Sequence, residues 1–148
     1  LSVYGGKLTT YRKLAEQAMN RLQPIFPEMG SAWTSGAKLP GGDFDSQENL
    51  YHQLQACYAW LAPDIISRWQ NSYGTISFEI LGDAAGVEDL GIKFGQNLYQ
   101  KEVDYLCNNE WANTADDILW RRSKLGMDFS SSERDALANY IQQSYPSS

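Results

Sequence analysis

The chain has 148 residues, an apolar share of 43% with five tryptophans, and a net charge of -6. That length and composition suit one folded domain with a sizeable core and exclude a disordered tail. The acidic balance, without a run of like charges, excludes nucleic acid as a natural partner, and no apolar run approaches the ~20 residues of a membrane span.

Leu1-Ser2-Val3-Tyr4 reads as a β-like strand stub. No initiator methionine or signal pattern precedes it, which is the pattern expected of an excised fragment. Gly5-Gly6-Lys7-Leu8-Thr9-Thr10-Tyr11-Arg12 follows and opens an amphipathic helix over 10–22. Tyr11, Leu14, Ala15, Ala18, Met19 and Leu22 recur on one face, and Pro24 and Pro27 end the helix. The two glycines let the backbone turn sharply and approach a ligand closely. Thr9 or Thr10 can cap the helix, and a helix N-terminus beside Lys7 suits an anion or an electron-rich ring. A plain strand–turn–capped-helix junction accounts for the same residues.

Residues 23–45 hold Pro24, Pro27, Gly30, Gly36, Pro40, Gly41 and Gly42, the chemistry of turns. Trp33, Leu39 and Phe44 are expected to pin this connector onto the globule, because wholly exposed aromatics are costly. Asp45 is taken as the boundary between residues 1–45 and a helical domain over 46–148. Gly41-Gly42 is not followed by the Gly-Lys-Ser/Thr of a phosphate loop.

Ser46 is an N-cap candidate for a helix over 47–61, with Leu50, Leu54, Cys57, Tyr58 and Leu61 inward. Pro63 suits the first turn of a further helix holding Ile65, Ile66 and Trp69, which Tyr73-Gly74 stops. Thr75 can cap the next. Ile76, Phe78, Ile80 and Leu81 allow a strand, but the run into Gly82-Asp83-Ala84-Ala85 favours a short helix. Residues 86–95 read as a loop. A helix over 96–108 follows, with Tyr99, Val103, Leu106 and Cys107 inward and the acids Glu102 and Asp104 on its solvated side. Thr114-Ala115-Asp116-Asp117 has capping-box spacing and starts a helix that Gly126 ends. Arg121 and Arg122 allow phosphate or acidic-lipid contacts, but pairing with Asp117 and complementing the helix dipole account for them. Ser130-Ser131-Ser132-Glu133 starts the last helix, with Leu137, Tyr140 and Ile141 buried, and 146–148 is a frayed end.

Cys57 and Cys107, far apart, point to free thiols in a reducing compartment. The lone His52 has no second histidine with which to share a metal, so it reads as a surface residue and no metal site is expected. No Ser/His/Asp set and no cysteine nucleophile beside a base stands in the chain. The fold class is therefore all-α, a compact bundle of about six helices after one strand stub.

Gly5-Gly6-Lys7-Leu8-Thr9-Thr10-Tyr11-Arg12 with Lys13-Leu14-Ala15-Glu16 resembles the flavin-proximal motif of FAD-dependent (aerobic, respiratory) glycerol-3-phosphate dehydrogenases. Leu39-Pro40-Gly41-Gly42, Tyr73-Gly74, Ile80-Leu81-Gly82-Asp83-Ala84, Asp89-Leu90-Gly91, Phe94-Gly95, Glu102-Val103-Asp104-Tyr105-Leu106, Glu110-Trp111 and the run from Ala115 to Met127 occur in that family's order. The resemblance covers nearly the whole chain. It implies a C-terminal piece of a flavoprotein that oxidises sn-glycerol 3-phosphate to dihydroxyacetone phosphate with FAD and passes electrons to quinone. The strand stub, the glycine turn and the helix would close an α/β flavin domain that is otherwise missing.

Carried over residue by residue, the resemblance implies that Gly5, Gly6, Leu8, Thr9 and Thr10 face the flavin and that Lys7 lies near flavin and substrate as a catalytic residue. FAD is expected in the intact enzyme and not on this fragment, which is expected to be inactive alone. The implied setting is cytoplasmic, with the intact enzyme peripheral on the inner face of the cytoplasmic membrane. For the helical domain two roles stand: a structural and regulatory cover of the flavin domain, or an interaction module that binds a partner protein or dimerises the enzyme.

Overall fold

The computed structural model describes residues 1–4 and 6–146. Gly5 and the expected frayed Ser147-Ser148 lie outside the described residues. Contacts divide the chain into two compact units, Leu1–Leu39 and Pro40–Ser148.

In the first unit a tight turn over Leu8–Thr10 leads into α1 (Tyr11–Leu22). The periodicity of α1 is as expected, but no residue of it is buried. So short a segment has too little apolar surface to close over its own stripe. The expected pinning of the connector is corrected at Trp33 and Leu39, which are 73% and 67% exposed. Leu1–Tyr4 is exposed and not paired as a strand, since a strand forms only against a neighbour that satisfies its backbone groups. The expected threonine cap is also corrected. Thr10 Oγ1 donates to Lys7 O at 3.0 Å, so that hydroxyl closes the preceding turn and caps no amide of α1.

The second unit is mostly helical and holds the core. Its helices are α2 (Gln47–Cys57), α3 (Pro63–Tyr73), α4 (Ile76–Leu81), α5 (Gln100–Asn109) and α6 (Ser131–Ser144). A π-helical turn spans Asp117–Arg122. Leu50, Leu54, Ile66, Trp69, Leu81, Leu106, Ile118, Leu119, Leu137 and Ile141 are almost wholly removed from water. They come from every helix of the unit, so apolar burial of the amphipathic faces drives its assembly. Phe44 packs against this core as expected.

The caps follow the sequence where side chains allow. Ser46 accepts from Asn49 N at 3.1 Å, and Ser130 and Glu133 form a reciprocal capping box. Thr114 and Asp117 exchange the same pair of bonds, Asp117 N to Thr114 Oγ1 at 3.2 Å and Thr114 N to Asp117 Oδ2 at 3.0 Å. Ile76–Leu81 is the short helix, not the strand, though Thr75 makes no side-chain cap.

Three further expectations fail. The helix expected over 96–108 begins only at Gln100, because β1 (Lys93–Gly95) and β2 (Leu98–Tyr99) form a small antiparallel hairpin. Gln96, at φ 42, makes its turn. Gly126 does not end the helix before it; it is buried, and a Cβ there would sit 2.6 Å from the Trp120 ring. Cys57, expected inward, is exposed.

Candidate functional site

The turn preceding α1 presents its polar groups outward. Gly6 has φ +142, a conformation that disfavours a side chain, and a Cβ there would come within 3.2 Å of Leu14 Cδ2. Lys7, Leu8, Thr9 and Thr10 are all exposed, Leu8 by 86%. Thr10 N donates to Lys7 O at 2.9 Å, which holds the lysine backbone at the helix start. The structure thus brings Gly6, Lys7, Leu8, Thr9 and Thr10 together on one exposed turn; Gly5 lies outside the described residues. A planar ring with an anionic edge fits such a turn: a glycine admits close approach, and a lysine and the positive end of a helix offset negative charge. The turn supplies one wall only and encloses nothing by itself.

Behind it, Arg12 Nη1 donates to Glu16 Oε1 at 2.5 Å and to Thr34 Oγ1 at 3.3 Å, and Thr34 donates to Glu16 at 2.5 Å. These bonds tie α1 to the segment around Thr34 beside a groove of about 650 Å³ that Tyr11, Met19, Trp33 and Leu39 help to line. Arg12 is therefore occupied by Glu16.

In the helical unit the chain hides a charged cluster. Glu102, expected on a solvated face, is fully buried. Arg68 grips it with both Nη atoms, at 2.7 and 2.6 Å, and Arg68 Nη2 also donates to Asn97 O at 2.7 Å. Tyr73 Oη donates to Glu102 Oε1 at 2.6 Å, and burial together with that carboxylate pushes the Tyr73 phenol far above its usual range. A signal was present: Glu102 stands three residues after Tyr99 and four before Leu106, inside the buried stripe. Asp104 accepts from Tyr140 at 2.7 Å and Tyr145 at 2.9 Å, tying α5 to α6 and the residue after it.

Arg121 pairs with Asp117 at 2.6 Å and Arg122 donates to Glu110 O at 2.6 Å, so both have partners inside the unit. His52 is exposed. Among the described residues no group of three or more His, Cys, Asp and Glu stands ready to hold a metal, and no helix is long and apolar enough to cross a membrane.

Both cysteines are free, Cys57 exposed and Cys107 half-buried. Burial first, then Asp104 and Asp117, push the Cys107 thiol up to about 11. The thiolate is the reactive form, so Cys57 is expected to take up iodoacetamide at pH 8 while Cys107 stays unlabelled until the protein is unfolded. Peptide mass mapping reads this directly, and equal labelling rates would contradict it.

Residues 32–143 match the C-terminal domain of alpha-glycerophosphate oxidase. The chain is 52% identical over 147 residues to a glycerol-3-phosphate dehydrogenase of Pseudomonas aeruginosa, covering 99% of this chain and 29% of that protein. It is 41% identical over 142 residues to the aerobic glycerol-3-phosphate dehydrogenase of Escherichia coli, covering 95% of this chain and 28% of that protein. It is 39% identical over 143 residues to the D-erythritol 1-phosphate dehydrogenase of Brucella abortus, covering 95% and 28%. The chain thus spans 28 to 29% of the length of these relatives.

Proposed function

The chain belongs to the family of alpha-glycerophosphate oxidase C-terminal domains, and from that premise we propose that it is the C-terminal part of an FAD-dependent glycerol-3-phosphate dehydrogenase. The whole enzyme oxidises sn-glycerol 3-phosphate to dihydroxyacetone phosphate and passes the electrons to membrane quinone, from a peripheral position on the cytoplasmic face. FAD supplies the hydride acceptor when bound.

Residues 1–45 belong with the flavin domain and its linker, and 46–148 form the helical C-terminal domain. Gly5, Gly6, Leu8, Thr9 and Thr10 hold one edge of the flavin, largely through main chain. Lys7 places a cation where the substrate phosphate or the reduced ring carries negative charge. The helical unit covers the flavin domain, and the chain alone is inactive because its turn is one wall of a site.

The observation that carries this reading is the 52% identity to a named glycerol-3-phosphate dehydrogenase across 99% of the chain, a span that takes in the glycine turn. Glycerol 3-phosphate is preferred to D-erythritol 1-phosphate as substrate because two relatives named for the former are more similar than the one named for the latter.

The test is anaerobic mixing of the full-length protein with each polyol phosphate while flavin absorbance is followed. Bleaching by sn-glycerol 3-phosphate is expected, with kcat/KM at least about tenfold above that for D-erythritol 1-phosphate, a difference of ~1.4 kcal/mol in transition-state binding. The reverse order would reassign the substrate. A protein purified without flavin and unable to take it up would overturn the reading.

A further inference from the structure

Trp111 stands just beyond the end of α5 and is 84% exposed. Its φ is 54, in the left-handed region that bulky side chains avoid. The loop that carries it is fixed from the core side. Glu110 N and Ala112 N both donate to Leu106 O at 3.1 Å, and Ala112 is buried. Arg122, on the π-helical turn, donates to Glu110 O at 2.6 Å, and Asn113 Nδ2 donates to Trp111 O at 3.3 Å. None of these bonds needs an indole; glycine or asparagine would make the same turn at a lower conformational cost. Among the described residues the ring has no hydrogen-bond or aromatic partner. Gln96 and Lys124 also have positive φ, but their side chains are used locally, on Asp128 O and Trp120 O. A strained main chain that holds a large apolar side chain in water marks a role outside the unit that carries it.

Charge narrows what covers the ring. Pro40–Ser148 carries sixteen Asp and Glu against seven Lys and Arg, a net charge of -9. Like charge opposes a second copy of this unit and an anionic lipid surface alike. The chain matches 29% of the length of its Pseudomonas aeruginosa relative, as a C-terminal domain, so on the reading above most of the protein precedes Leu1.

We propose that Trp111 anchors the helical unit onto the part of the same chain that precedes Leu1, with its indole seated in an apolar pocket there. The proposal rests on the reading of this chain as the C-terminal part of a longer protein. An indole offers a large contact area and one N–H donor, and tryptophan is enriched among residues that carry interfaces. The fixed loop holds the ring outward beforehand, which lowers the ordering that docking requires.

The experiment uses the full-length protein. Hydroxyl-radical footprinting of wild type, without lipid, compares oxidation of Trp111 in the folded and the denatured protein. Expected is oxidation at least about fivefold slower in the folded protein, at every protein concentration, because an anchor in the middle of an interface is desolvated. Oxidation at the denatured rate would overturn the proposal. Protection lost on dilution to the monomer would assign the ring to a second copy, and protection that requires vesicles of phosphatidylglycerol would assign it to a lipid surface; either result overturns the proposal. Trp111→p-benzoylphenylalanine, irradiated and digested, then identifies the occupant. Cross-links within a single chain to peptides that precede Leu1 are expected. Cross-links to a second chain, or only to residues 1–148, would overturn the assignment. If that variant does not fold, footprinting of wild type decides. A protein that does not oxidise sn-glycerol 3-phosphate would sink the enzyme reading, and both measurements would still decide what covers Trp111.

Discussion

Lys7→Ala in the full-length protein is expected to lower turnover of sn-glycerol 3-phosphate by about 100-fold or more, the usual cost of deleting one preorganised electrostatic partner in a closed site. The side chain is exposed on its turn, so its removal leaves no cavity and the melting temperature should stay within about a degree of wild type. That separation of rate from stability is what identifies a residue working on the reaction. The kinetic split then tells which anion the cation serves. If Lys7 attracts the substrate phosphate, KM rises and Lys7→Arg restores much of the loss, because a guanidinium also binds phosphate. If it stabilises the reduced ring, KM stays and kcat falls, and the flavin reduction potential becomes more negative. A wild-type rate in Lys7→Ala would remove the residue from the site.

Arg68→Met is expected to damage the fold severely. It strands Glu102, fully buried and held by two bonds from Arg68, without its countercharge. Breaking a buried pair from one side costs about 3–5 kcal/mol, because the remaining charge keeps its desolvation penalty and loses its partner. For a unit of this size that corresponds to a fall of roughly 13–22 °C in melting temperature. Removing the whole cluster should cost far less. In Arg68→Met/Glu102→Leu/Tyr73→Phe no polar group of the triad is left unpaired, and apolar replacements of buried ion pairs are often close to neutral. Thermal melts of the single and triple variants decide the matter. A triple variant no more stable than Arg68→Met would show that the cluster acts through shape and not through its buried charge.

Glu102 is buried against the expectation from its residue type. Composition favours acids at the surface, which places Glu102 there with Asp104. Whether a carboxylate is buried depends on finding a cation at the same depth, and Arg68 lies 34 residues away on another helix. No local pattern carries that pairing. The hairpin is a similar case. Leu98 and Tyr99 are adjacent and both buried, so they break the alternation by which strands are recognised. Their pairing with Lys93–Gly95 is settled by core contacts of both strands. Gly126 resembles a helix stop, but its smallness serves the ring of Trp120 packed against it.

What the sequence determined by itself was local and periodic. Helices α2, α3 and α6 follow from apolar residues at helical spacing, and Ser46 and Ser130 cap the amides where their hydroxyls were expected. The all-α class and the family were legible for the same reason: both rest on residue types at set separations along one chain. The glycine turn was legible as a candidate site because glycine, lysine and a helix start carry their chemistry locally. Only the tertiary structure decided which cation meets the buried acid, which glycines are crowded and which aromatics stay exposed. Those properties belong to pairs of residues distant in sequence. Arg68 with Glu102 and Gly41 with Gly74 meet because apolar burial assembles the helices, and the energy of each contact depends on what that assembly places opposite it.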